Sequence, residues 1–178
     1  DGSNNILIGT ERSRDFGPYG PNQGCTTKPV TPLSGTLADI QTAITQMSAG
    51  GYTNIQEGLA WGWRLLSAGQ PFTQGRSYSV AENDKYIILL TDGNNTYPSQ
   101  STLNKTEYYP WGYGRHNRLY GGLASWTSDV DAMNQQTART CANIKAVQDA
   151  DQEEAVRIFT IVYDVADGSS VKTLLQEC

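Results

Sequence analysis

The stretch Lys85–Thr96, KYIILLTDGNNT, decides the reading of this chain. An unbroken apolar run, rich in isoleucine and leucine, ends on Thr91-Asp92-Gly93 and two asparagines. The run lacks the apolar–polar alternation of a half-buried strand. It is expected to be a strand covered on both faces, as in a parallel sheet. The acid that closes it is either a turn residue or part of a site, because open parallel sheets bind ligands at the carboxyl ends of their strands.

Outward from that strand, a second buried run, VRIFTIVYDV, spans 156–165. Between the two, Val130, Met133, Thr137, Cys141 and Ile144 fall at helical spacing over 129–149, with Ser128 as N-cap and Asp129 and Asp131 in the first turn. Upstream, Leu37, Ile40, Ile44 and Met47 predict an amphipathic helix over 36–48, stopped by Gly50-Gly51. A further helix follows, capped by Thr53 or Asn54, with Ile55, Leu59, Trp63 and Leu66 on one stripe. Gly58 and Gly62 on this helix are expected to mark close backbone approach to a neighbour. Residues 67–84 read as a loop, and Leu174 and Leu175 as part of a last short helix. Helix, helix, strand, helix, strand, helix is an α/β layer architecture. Residues 1–33 form an irregular arm, 34–178 a domain, and 93–128 a long irregular insertion.

A chain of 178 residues fits one domain with a proper core. Its net charge of -5 argues against nucleic acid, which needs a basic face. No apolar run reaches the roughly 18 residues of a spanning helix. Asp1 opens no signal peptide, so any export signal or anchor is expected outside this chain. Cys25, Cys141 and Cys178 form no CxxC motif, which excludes a zinc ribbon. Either one disulfide and a free thiol or three buried thiols result. A Cys141–Cys178 clasp pinning the last helix is the expectation, and it suits an extracytoplasmic protein of the periplasm or cell surface.

Helix starts and strand ends share one rim in a doubly wound fold, so Thr53 and Asp92 can meet there. With Asn94 and Asn95 beside them they are hard oxygen ligands, suited to Mg²⁺, Mn²⁺ or Ca²⁺. On spacing alone the plainer reading leads: Thr53 caps its helix and Asp92-Gly93 makes a turn. His116 sits in a loop with no GxSxG element nearby, which leaves a hydrolase without its machinery. Glu57 is either an acid behind the rim or a first-turn carboxylate favoured by the helix dipole. Asp149, Asp151, Glu153 and Glu154 read as a solvated loop.

Taken together, GGYTNIQEGLAWGWRLLS (50–67), PFTQGRSY (71–78), KYIILLTDGNNT, TARTCANIKA (137–146) and IFTIVYDV (158–165) resemble a von Willebrand factor A domain. More narrowly they are similar to the C-terminal part of the TadG-like proteins of bacterial tight-adherence (Flp) pilus systems. The resemblance spans roughly 34–178. It implies a Rossmann-like parallel sheet flanked by helices, with a metal-ion-dependent adhesion site and no enzymatic activity. The second metal loop of that family supplies a threonine, matched by Thr53, and the third an aspartate, matched by Asp92. The first loop, Asp-x-Ser-x-Ser after a buried strand, has only Asp1-Gly2-Ser3-Asn4-Asn5 as a candidate, without the second serine. The first strand, loop and helix are therefore expected outside this chain: either the chain is a fragment, or the upstream part is cleaved and stays bound as another chain. The implied partner is a protein presenting a carboxylate to the cation. The alternatives are an adhesive or structural domain with an inactive metal site, and a metal-dependent hydrolase.

The insertion 93–128 is rich in rings: Tyr97, Tyr108, Tyr109, Trp111, Tyr113, Tyr120 and Trp126. Tyr97, Tyr109, Trp111, Tyr113 and Trp126 are candidates for partner binding, since rigid aromatics give contact area at low entropic cost. They serve equally well to pack the loop onto the domain.

Overall fold

The computed structural model describes residues 27–178; the candidate metal loop at 1–5 and Cys25 lie outside the described residues. The KYIILLT run forms strand β1, Tyr86–Thr91, and the VRIFTIV run forms strand β2, Arg157–Val162. They pair in parallel, in register from Tyr86↔Arg157 to Thr91↔Val162. Ahead of β1 come helix α1, Leu37–Thr45, and helix α2, Ile55–Leu66. Helix α3, Asp129–Lys145, crosses from β1 to β2, and helix α4, Ser170–Glu177, closes the order. The molecule is thus α/β, a small parallel sheet flanked by helices, as the sequence pattern implies. Helix α3 stops four residues short of the expected 149, because 149–154 turn back on themselves through Asp149, whose Oδ1 accepts from the N–H groups of Asp151 and Glu153.

The period-2 geometry of the strands splits their side chains between two environments. Ile87, Leu89 and Ile158 point into a core with Leu59, Cys141 and Ile144 from the helical layer and Val156 at the head of β2. Ile55, Val171 and Leu175 extend that core towards the strand ends. The opposite side of the sheet is bare: Ile88 is 68% exposed, Leu90 67%, and Phe159 and Ile161 about half. The expectation of a strand covered on both faces is therefore met on one face only. All the packed helices, α2, α3 and α4, lie on the same side of the sheet. Helix α1 buries none of its residues, and Leu37 and Ile44 of its apolar stripe, with Met47 just beyond its end, are open.

Gly58 and Gly62 do not play the expected part. A Cβ at Gly58 would meet nothing, and one at Gly62 would make ordinary contact with Ile87 Cγ2 at 3.8 Å. The tight approach is at Gly75 in the 67–84 loop, where a Cβ would stand 2.3 Å from the Ser67 carbonyl oxygen. That loop is held by Lys85, buried at the head of β1, whose ammonium donates to the carbonyls of Leu66 and Arg76. Cys141 and Cys178 are joined with Cα atoms 5.3 Å apart, pinning α4 to α3 as the clasp requires.

Candidate functional site

Local hydrogen bonding decides what Thr53 and Asp92 are free to do. The N-cap of α2 is Asn54, whose side-chain oxygen accepts from Glu57 N at 3.1 Å. Thr53 is therefore not the cap. The turn after β1 is made by Thr91, whose Oγ1 donates to Gly93 O at 3.0 Å and accepts from Gly93 N at 3.3 Å. Asp92 sits exposed within that turn, as the plainer reading expects, while Thr91 makes the hydrogen bonds that hold it. The plain reading of Thr53 is corrected, because Asn54 performs the capping. Neither the Thr53 hydroxyl nor the Asp92 carboxylate has a hydrogen-bond or ionic partner among the described residues.

The two loops are clamped side by side. Thr53 N donates to Thr96 Oγ1 at 2.6 Å, and Thr96 N returns a bond to Thr53 O at 3.0 Å. Beneath this bracket lies Asn95, 2% exposed. Its Oδ1 accepts from Ile55 N at 2.8 Å, and its Nδ2 donates to Asn134 Oδ1 at 2.9 Å and Thr137 Oγ1 at 3.5 Å. Asn134 in turn donates to Ser170 Oγ at 3.3 Å, so one amide chain ties the starts of α2 and α4 to α3 and the β1 loop. The expectation that Asn95 is a ligand oxygen is corrected: its oxygen is spent on the first free N–H of α2. Asn94 is exposed. Glu57 accepts from Trp61 Nε1 at 2.7 Å and lies 4.0 Å from Arg64, so it belongs to the helix surface and not to the rim.

The oxygen donors expected at the rim and left without a partner among the described residues are thus the Asp92 carboxylate, the Thr53 hydroxyl and the Asn94 amide oxygen. Hard divalent cations take six or more oxygens, with water filling what the protein leaves. Thr53 and Asp92 fit part of such a shell in chemistry and in freedom from other partners. Among the described residues no group of three or more His, Cys, Asp or Glu side chains could hold a metal by itself.

The aromatic insertion packs against α3 and leaves a ringed border. Tyr97, Trp111 and Tyr120 surround the buried cluster of Leu119, Ala132 and Met133. Tyr109 makes edge contacts with Tyr97 and Trp111 at 5.6 Å each. Tyr113 packs edge-on against Tyr108 and His116. Tyr120 stacks on Trp126 at 4.5 Å and donates its hydroxyl to Asp129 at the start of α3. Burial first, then the neighbouring Tyr97, pushes the Tyr109 hydroxyl far above the ordinary tyrosine range. Tyr108 and Trp126 remain nearly half exposed. Beside Thr53, a hollow of about 170 Å³ is bordered by Tyr52, Asn54, Tyr108, Tyr109 and Met133. His116 is exposed in a 3-10 turn.

Trp61 and Trp63 take different parts. Trp61 meets Phe72 of the PFTQG stretch edge-on, whereas Trp63 packs on the core. Compared with protein-family models, curated proteins and solved structures, the chain matches none of them.

Proposed function

We propose that this chain is a von Willebrand A-like, TadG-like module of a bacterial pilus or surface-adhesion system. It binds protein partners outside the cytoplasm through a divalent cation held in part by Thr53 and Asp92. The cation, Mg²⁺ or Mn²⁺, keeps a position open for a partner's carboxylate, and residues outside the described region complete its shell. One observation carries this reading. At the carboxyl end of β1, the Thr53 and Asp92 oxygens are left unspent because Asn54 does the capping and Thr91 makes the turn's hydrogen bonds. The open sheet supports it as well. Strand β1 carries no Pro and no charge, the usual marks of a protected edge, yet among the described residues β2 is its one strand partner and its other edge is unpaired. Such a strand suits the middle of a larger sheet, where a further segment would bring its loop to the same rim. The Cys141–Cys178 disulfide supports an oxidising compartment, and no described helix is long and apolar enough to cross a membrane.

The packing of Tyr97, Trp111 and Tyr120 on α3, with Tyr108 and Trp126 open, favours a second reading in which the aromatic border alone binds the partner. An immobilised peptide with a single aspartate separates the two. On the cation reading, the chain is retained in Mn²⁺ and released by chelator, and Asp92→Ala abolishes retention. Retention unchanged by chelator and by Asp92→Ala supports the aromatic reading and overturns the first.

A further inference from the structure

The hollow beside Thr53 is sized for one side chain. Its volume of about 170 Å³ falls below the roughly 300–1,000 Å³ of small-molecule sites. Tyr52 and Asn54, the neighbours of Thr53 on either side, both border it, so it opens within a residue of the proposed cation. Its border is pinned to the same loop, because Thr96, which exchanges bonds of 2.6 and 3.0 Å with Thr53, lies on it too. Buried Met133 and Pro98 complete it.

The lining has the chemistry of a cation site. Three of the bordering residues are tyrosines, Tyr52, Tyr108 and Tyr109, and another is Glu107. Aromatic rings attract cations to their faces, and a carboxylate beside them adds a full negative charge. Two of the rings are held in place: Tyr108 packs edge-on with Tyr113 at 5.1 Å, and Tyr109 with Tyr97 and Trp111 at 5.6 Å each. Tyr52 and Tyr108 are about half exposed and keep ring surface for a partner. Glu107 is half-buried, and no lysine or arginine among the described residues pairs with it. Its Oε1 accepts from Gln100 Nε2 at 3.3 Å, which leaves Oε2 unmet. One free oxygen suits the compact ammonium of lysine, whereas the arginine fork binds best to both oxygens of a carboxylate. An aliphatic or proline side chain would fill the space but leave the charge of Glu107 unanswered.

We propose that this hollow takes a lysine side chain of the partner, close in sequence to the carboxylate that meets the cation; in naming that partner it rests on the cation reading above. Consecutive Cα atoms stand about 3.8 Å apart, and an extended segment advances about 3.3–3.6 Å per residue, so an acid and a lysine two residues from each other span both sites. The net charge of -5 favours the approach of such a basic segment.

The test begins with a two-dimensional NMR titration of the whole chain with n-butylammonium, free of divalent cation, so that the hollow is read apart from the Thr53–Asp92 site. The amide resonances of Tyr52, Asn54, Tyr108 and Tyr109 should shift saturably with a Kd of about 10 mM. Neutral n-butanol should bind at least about fivefold more weakly. Glu107→Gln keeps the acceptor for Gln100 and should lose about fivefold, and Tyr52→Ala about two- to fivefold; amide spectra report whether each variant folds. No saturable shift by about 100 mM probe, butanol binding as tightly, or affinity unchanged in both folded variants overturns the proposal. The second arm immobilises two peptides that carry lysine, or norleucine, two residues to either side of a single aspartate. In Mn²⁺ the lysine peptide should hold the chain about tenfold more tightly. Equal retention on both, released by chelator, overturns the proposal and leaves the cation reading standing. Butylammonium binding in the hollow, together with retention that ignores chelator, supports the lysine site and sinks the cation reading.

Discussion

Replacing Asn95 with alanine should be among the most damaging single changes to this chain, and its size follows from the bonds it breaks. The substitution leaves Ile55 N, in a residue 4% exposed, without its 2.8 Å acceptor, and Asn134 Oδ1 without its 2.9 Å donor. The 3.5 Å contact to Thr137 adds little. A buried donor or acceptor left unmet costs about 1–3 kcal/mol, so the two together give roughly 2–6 kcal/mol. For a chain of 178 residues, at about 2–4 °C per kcal/mol, the melting temperature falls by roughly 4–24 °C. Asn94→Ala, at an exposed position, is the control and should stay within about 0.5 kcal/mol. Asn95→Asp keeps the acceptor for Ile55 N but sets an oxygen against Asn134 Oδ1, so its loss falls between the two. Thermal melts followed by circular dichroism, with urea midpoints at constant slope, measure all three. A drop below about 2 °C for Asn95→Ala, or equal drops for Asn94→Ala and Asn95→Ala, would refute the assignment of the amide as the bracket of the rim.

Reducing the Cys141–Cys178 bond releases a loop of 37-residue separation, which by chain entropy removes about 4 kcal/mol; melts with and without reductant should differ by roughly 8–15 °C. Gly75→Ala drives a methyl into the carbonyls of Ser67 and Leu66 and should cost about 1–3 kcal/mol in urea unfolding, whereas Gly58→Ala, which meets open space, should be neutral or stabilising. Tyr78, Tyr109, Tyr113 and Tyr120 all have folded pKa values raised, chiefly by burial. The unfolded chain therefore loses these protons first, at about pH 10, and the stability they contribute is present below that pH and lost as pH rises above it. An absorbance titration of tyrosinate should show part of the tyrosines ionising only together with the loss of far-UV dichroism; a single reversible step for all of them, with the fold intact, contradicts this.

The sequence carried the elements whose signals are local. Apolar runs marked both strands and 3.6-residue spacing the helices, and a cysteine inside one helix with another at the end of the last pointed to the clasp. The roles inside 53–54 and 91–95 were not legible, because Thr53 and Asn54 are both good caps, and Thr91 and Asp92 both turn formers. Which one acts depends on backbone angles that tertiary contacts set. Asn95 looked like a ligand oxygen of the rim, since nothing local marks an amide whose three partners lie 39 to 42 positions away. The bare face of the sheet was equally hidden, because an apolar run records what a strand is suited to meet and not what covers it. Gly75 shows the same limit: a glycine in a loop reads as a turn, and its clash with Ser67 exists only once the loop has folded back.

The most direct test of the cation site is paramagnetic broadening of amide resonances by substoichiometric Mn²⁺, which detects even the weak binding that two protein ligands afford. The account predicts that residues 52–54 and 92–94 broaden first, that Thr53→Val reduces the effect, and that Asp92→Ala abolishes it. Broadening confined to the exposed acids of 149–154, or unchanged at the rim by Asp92→Ala, would contradict it.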